Sequence, residues 1–325
     1  MFGDASSQPR RTLVCFTRQP EVMLTLFAVP KPFRDHTAMI QRNAITSWTL
    51  LRPHPQIILF GREEGTAAIA ADLGVQHVPD VARNEYGTPL VSSMFEQAQD
   101  QTTDQILCYV NADIILTDDF MRAVERVFHR KRHFLMIGCR WDVNVAKPLS
   151  FESDWAKLLQ SYVVEHGQRH PPTGIDYFVF SRGLWGDIPP FAVGRAAWDN
   201  AMVYRARIQG AAVVDATEVV MAVHQNHDYS HLPGGKREAW EGPEARRNRA
   251  LRASNVIFTT HDATWLLTQR WLFPAIHPQY IRQRWERLPV LHPRLRTFHA
   301  SVQLLIRALK AFHRVPNAIR LRIRK

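Results

Sequence analysis

The sequence predicts an α/β protein with a mostly parallel central sheet flanked by helices. Two observations carry this. Over residues 22–131, apolar runs of strand length alternate with amphipathic helical stretches, and Pro or Gly marks several of the changes. In addition, residues 56–61 (QIILFG) are apolar almost throughout, as in a strand buried on both faces.

The elements follow in order. Residues 22–30 (VMLTLFAVP) read as a first strand that ends at a Pro-rich turn. Residues 36–51 form a helix with Met39, Ile40, Ile45, Trp48 and Leu51 near one face. After the strand at 56–61 comes a short helix at 65–74, stopped by Gly74. Residues 75–81 make a third strand, and 89–101 a helix with Pro89 at an early position. Residues 105–116 (QILCYVNADIIL) read as a single strand, followed by a helix at 118–131. The rhythm then loosens. A strand is expected at 134–143, a helix at 151–167, a loop and strand at 171–185, and a helix at 196–210 closed by Gly210. Strand-like material at 211–231 ends in a histidine-rich loop. No linker divides residues 20–232, which are expected to form one domain; residues 233–325 form a helical, basic C-terminal extension.

Composition narrows the class. The 325 residues are 46% apolar and 22% charged, as in ordinary folded proteins. Cys15, Cys108 and Cys139 are far apart and form no framework, which suits a reducing compartment. No signal-peptide pattern and no apolar run of membrane-spanning length is present, so the expectation is a cytoplasmic protein, or one peripheral to the inner face of a membrane. The net charge of +11 is local. Twelve of the 41 basic residues and one of the 30 acidic residues lie from Tyr280 onward, which leaves the first 279 residues neutral. With no recognised module and no aromatic interleaving, nucleic acid is not an expected partner.

Three stretches carry chemistry. In the first, Asn111-Ala112-Asp113 interrupts an apolar run. Asp113 is either a solvated strand end or a ligand for a hard cation, Mg²⁺ or Mn²⁺, beside a diphosphate. The second is VGRAAWDN, residues 193–200, which puts Asp199 at the start of a helix. There it is either a capping acid or a base that deprotonates or orients an acceptor, with Trp198 offering a ring to a sugar. The third, AVHQNHDYSH, contains His224, His227 and His231. A closed zinc site lacks cysteines and a fourth ligand. A single metal-binding histidine just after a strand is the better functional reading, with His227 and His231 as polar loop residues.

In this order the three stretches resemble GT-A glycosyltransferases, the nucleotide-diphospho-sugar transferase superfamily, of a family-2-like kind. The resemblance covers roughly residues 23–231. It implies a nucleotide-sugar donor, a glycan, lipid-linked or small hydroxyl acceptor, and a divalent metal (Mn²⁺ or Mg²⁺) held by Asp113 and His224. Asp199 would be the acceptor-side base, with Asp176 as the alternative. Asn111 departs from the family's two-acid pattern and adds no charge. By the same resemblance Pro30 would lie against the nucleotide base, with Lys31 or Arg34 near phosphate. Glu63 would face base or ribose, unless it is a solvated loop acid, and Arg83 would contact the donor. Asp176, Trp198 and Asn200 would shape the acceptor pocket, with Trp141 and Asp142 beside them. Two rivals stand: a nucleotidyltransferase, which should show a glycine-rich phosphate loop that FAVPKPFRDH lacks, and a catalytically silent sugar-binding or membrane-recruited protein.

Outside the resemblance, residues 300–314 place Val302, Leu305, Ile306, Leu309 and Phe312 on one helical stripe, with Arg307, Lys310 and Arg314 elsewhere. This is either a docking helix or an anchor on an anionic membrane surface.

Overall fold

The computed structural model describes residues 22–228 and 234–313, with side chains to residue 310. Alternating strands and helices open the chain: β1 (Leu24–Ala28), α1 (Asp35–Thr49), β2 (Gln56–Phe60), α2 (Thr66–Leu73), β3 (Gln76–Val78), α3 (Val91–Asp100) and β4 (Ile106–Val110). Then come β5 (Ile114–Ile115), α4 (Asp118–Phe128), β6 (Phe134–Ile137), β7 (Arg140–Val143), α5 (Trp155–His166), β8 (Gln168–Arg169) and β9 (Tyr177–Ser181). They are followed by α6 (Trp198–Ile208), β10 (Ala212–Asp215), β11 (Ala222–Gln225), α7 (Gly235–Glu241), α8 (Pro243–Leu251), β12 (Trp265–Leu267), β13 (Leu272–Pro274), α9 (Pro278–Leu291) and α10 (Arg296–His313).

The main sheet has the order β13-β12-β10-β6-β9-β4-β1-β2-β3. Its pairings are parallel except that β9 runs against β4 and β6, and β13 against β12. Apolar strands explain its position: β1, β4 and β9 are buried at every residue, with helices on both faces. On one face Phe27, Phe95, Tyr109, Phe180 and Trp185 interlock at ring separations of 5.0 to 6.2 Å. Each such side chain contributes about 1.5–3 kcal/mol by leaving water.

Three expected strands break where they leave this sheet. The stretch read as one strand over 105–116 stops at Val110 and resumes as β5, which pairs antiparallel with β11 in a second sheet of order β5-β11-β7-β8. The strand expected at 134–143 likewise divides into β6 in the main sheet and β7 in the second, and 211–231 divides into β10 and β11. Gly138 lies at the second break, and a Cβ there would run into the Tyr177 hydroxyl and the Thr217 backbone. The crossing therefore needs glycine.

α1 braces this seam from behind. Trp48 Nε1 donates to the Ile114 carbonyl at 2.8 Å, and the Leu116 amide donates to Ser47 Oγ at 3.1 Å. Fully buried Gln225 donates to the carbonyls of Ile40 (2.7 Å) and Asp113 (3.1 Å) and accepts from Asn43 (3.0 Å). Buried amides of this kind fix position because each lost bond leaves a partner unsatisfied, at about 1–3 kcal/mol. The helix expected from Pro89 starts two residues later, after Leu90, because Pro89 instead bridges to Arg83.

Residues 234–313 contain α7 to α10 and also supply β12 and β13 to the edge of the main sheet. They are held by buried polar pairs. Glu244 accepts from Asn84 (2.6 Å) and Arg195 (2.8 Å), and Tyr280 Oη donates to Asp215 (2.8 Å).

Candidate functional site at the seam between the sheets

The three strand crossings bring acids, histidines and one lysine together. Asp113 lies in the turn between β4 and β5 and is 6% exposed. Lys31, just past β1, has its Nζ 3.4 Å from Asp113 Oδ2. His227 Nε2 is 3.1 Å from the same oxygen. His224, within β11 rather than after it, completes a set: one ligand atom each from Asp113, His224 and His227 lie within 4.8 Å of one another. Burial alone would push the Asp113 carboxyl up, but Lys31 and the two histidines outweigh it and hold the group well below the usual carboxylate range.

The residues fit a divalent cation. Asp113 Oδ1 is buried with no hydrogen-bond partner among the described residues. His224 Nδ1 stands 3.0 Å from Asp142 Oδ1. A carboxylate across from one ring nitrogen leaves the other for an ion. One carboxylate and two imidazoles form a mixed oxygen and nitrogen set, better suited to Mn²⁺ than to Mg²⁺, which favours oxygen. His227, read from the sequence as a polar loop residue, stands in this set. His231 lies outside the described residues.

A polar chain runs away from this cluster. Asp142 accepts from Arg140 Nε (2.8 Å) and contacts His170 Nδ1 (2.6 Å), and Arg140 Nη1 donates to Asp176 Oδ2 (2.8 Å). Burial would raise the Asp142 carboxyl, but its histidine contacts and Arg140 drive it far down. Asp199, in the first turn of α6, accepts the Asn200 amide at 2.8 Å. Burial pushes its carboxyl up to about 7; the Asn200 bond opposes this and nearby Asp176 adds to it.

Other expected residues have different settings. Asn111 spends both ends of its amide, donating to Asp176 Oδ1 and accepting from Tyr109 Oη (3.0 Å). Trp198, expected to offer a face to a sugar, is 5% exposed and packs against Tyr109 (5.2 Å) and Phe178 (5.4 Å), so its part is in the core. Asn200 donates to the Phe258 carbonyl at 2.7 Å, which ties α6 to the C-terminal segment. Glu63 pairs with Arg83 at 3.0 Å near the end of β2, and Arg83 also donates to the Gly87 carbonyl at 2.7 Å. Pro30 is buried at the end of β1. An open pocket of about 770 Å³ adjoins the cluster, lined by Pro32, Arg34, His36, Asn144, Asn226 and His227 among others.

Arg140 and His170 were not singled out from the sequence. The readable signal was the two-residue spacing of Arg140 and Asp142, which puts both on one face of a strand.

No family model matches the chain, and no curated protein matches it. Solved structures are similar over part of their length. One is a mannosyltransferase from Pyrobaculum calidifontis in complex with GDP-Man and Mn²⁺ (13% identity, TM-score 0.39, 62% of this chain and 56% of that one). Another is TarS from S. aureus (8%, TM-score 0.39, 63% and 59%). A third is glucosyl-3-phosphoglycerate synthase from Mycobacterium tuberculosis with Mg²⁺ and UDP (15%, TM-score 0.40, 64% and 73%). This chain thus spans less than two thirds of the first two.

The bonds of Asn111 give a test. Asn111→Asp restores a two-acid pattern but sets a carboxylate against Asp176, and like charges in contact are costly. The expected outcome is a loss of about 1–3 kcal/mol of stability in chemical denaturation, with no gain in Mn²⁺ affinity. Unchanged stability with tighter Mn²⁺ binding would show that position 111 belongs to the metal set.

Proposed function

We propose that the protein is a glycosyltransferase that moves a sugar from a nucleoside-diphosphate donor to a hydroxyl of a glycan, lipid-linked or small acceptor. The observation that carries this reading is the contrast between two unlike carboxyls that both sense the Arg140 charge. Asp113 is held ionised among Lys31, His224 and His227, whereas the carboxyl of Asp199 is pushed up to about 7. Two acids whose environments separate their pKa values in this way divide the work of charge stabilisation and proton transfer.

In this reading the donor diphosphate lies against the Asp113 cluster, at the carboxyl ends of β1 and β4, where such sheets bind ligands. Asp113, His224 and His227 would hold Mn²⁺, which when bound supplies positive charge for the leaving diphosphate. Asp199 accepts the acceptor hydroxyl proton as its oxygen bonds to the anomeric carbon. The bond from that carbon to the diphosphate breaks, and its electron pair leaves with the phosphate. Attack opposite the leaving group inverts the anomeric centre. Arg140, paired with Asp176 and Asp142, lowers the Asp199 carboxyl less than burial raises it. Asp176, tied to both Arg140 and Asn111, suits a positioning part better than that of a base.

A base must be ionised to accept a proton, so turnover should rise with pH through about 7 and level off above it. Asp199→Asn is expected to lower kcat by about 10²–10⁴ and to leave UDP or GDP affinity in place. A pH profile flat from 6 to 8, or undiminished turnover in Asp199→Asn, would remove Asp199 from this role.

We further propose that α10 rests on an anionic lipid surface. Phe298 and Leu305, seven residues apart on one helical line, are 58% and 59% exposed, and Arg296, Arg307 and Lys310 lie on other faces. Among the described residues no helix is long and apolar enough to cross a membrane. Each basic residue near anionic lipid contributes about 1 kcal/mol. Phosphatidylserine vesicles should retain the wild-type chain and release Phe298→Ser/Leu305→Ser; equal retention of both would refute the anchor.

A further inference from the structure

We propose that Lys31 is a built-in counter-cation of the donor site, which competes with a divalent metal for Asp113 and His227 and itself neutralises the donor diphosphate. This inference rests on the donor-site reading of the Asp113 cluster. It starts from the position of the lysine head group. Lys31 Nζ stands 2.9 Å from His227 Nε2 and 3.4 Å from Asp113 Oδ2, and those two atoms are 3.1 Å apart. The ammonium therefore occupies the space between two of the three residues that could hold a divalent ion.

The ammonium and a metal ion exclude each other here. A divalent ion stands about 2.0–2.2 Å from a ligating nitrogen or oxygen, inside the space that the ammonium needs to contact both atoms. Two cations that close also repel strongly in a buried setting. The formal charges point the same way. Lys31 balances Asp113, and Asn111 adds no second negative charge with which to attract a divalent ion.

Lys31 is placed to exchange partners. Its backbone is fixed, since its amide donates to Gln41 Oε1 (2.6 Å) and its carbonyl accepts from Gln41 Nε2 (2.9 Å). Its side chain is 28% exposed, so the ammonium at the end of a flexible four-carbon stem can turn from Asp113 to a phosphate without moving the chain. Binding of the nucleotide diphosphate then has a source of positive charge that needs no metal.

The test compares the full chain with Lys31→Met and Lys31→Arg. Mn²⁺ affinity is read by electron paramagnetic resonance, and UDP and GDP affinity by calorimetry in EDTA. Lys31→Met is expected to bind Mn²⁺ at least tenfold more tightly than wild type and to lose at least tenfold in metal-free nucleotide affinity. Lys31→Arg should keep both wild-type behaviours. Lys31→Gln, whose amide still donates to Asp113, should shift both in the direction of Lys31→Met and serves if that variant does not fold. Equal Mn²⁺ affinity in wild type and Lys31→Met, with nucleotide still bound, overturns the inference alone. Failure of UDP and GDP to bind any variant, with or without Mn²⁺, overturns the donor-site reading and the inference with it.

Discussion

An ionised carboxylate buried where strands leave a sheet is the constraint around which this structure is arranged. Asp113 is 6% exposed, and an isolated charge in such a place costs several kcal/mol. The chain answers with Lys31 from the end of β1 and His224 and His227 from β11 and beyond, elements far apart in sequence. Gln225 takes the Asp113 carbonyl, and α1 holds the strand that follows. The division of β4 from β5, β6 from β7 and β10 from β11 opens the space in which these groups meet.

The same seam sets the contrast between the two working carboxyls. Arg140 lies between Asp142 and Asp176 and bonds to both. At Asp199 burial and the like-charged Asp176 outweigh the Asn200 amide and the Arg140 charge. The carboxyls of Asp113 and Asp199 are thus shifted in opposite directions. In the proposed transfer this would leave one to hold positive charge and the other to accept a proton.

Much of the fold was legible because β1 to β4 and their helices follow a simple period, and Asp113, Asp199 and His224 were noticed as acids or histidines at element ends. Hydrophobic periodicity reports burial, not which sheet a strand joins, so the interruption at Asn111 was read within one strand and the break at Gly138 did not register. Trp198 has the composition of a sugar-facing ring, but its neighbours Tyr109 and Phe178 come from other strands and bury it. His227 sits in a stretch rich in loop-forming residues, and only its approach to Asp113 marks it out. The strands β12 and β13 are three residues each, too short to carry a pattern.

A crystal structure of the full chain grown with UDP or GDP decides whether the seam around Asp113 is a donor site. The expected result is a diphosphate within hydrogen-bond reach of Lys31 Nζ, with the sugar side of the pocket open toward Asp199. A nucleotide seated away from Lys31, Asp113 and His227, with their mutual contacts unchanged, would contradict it.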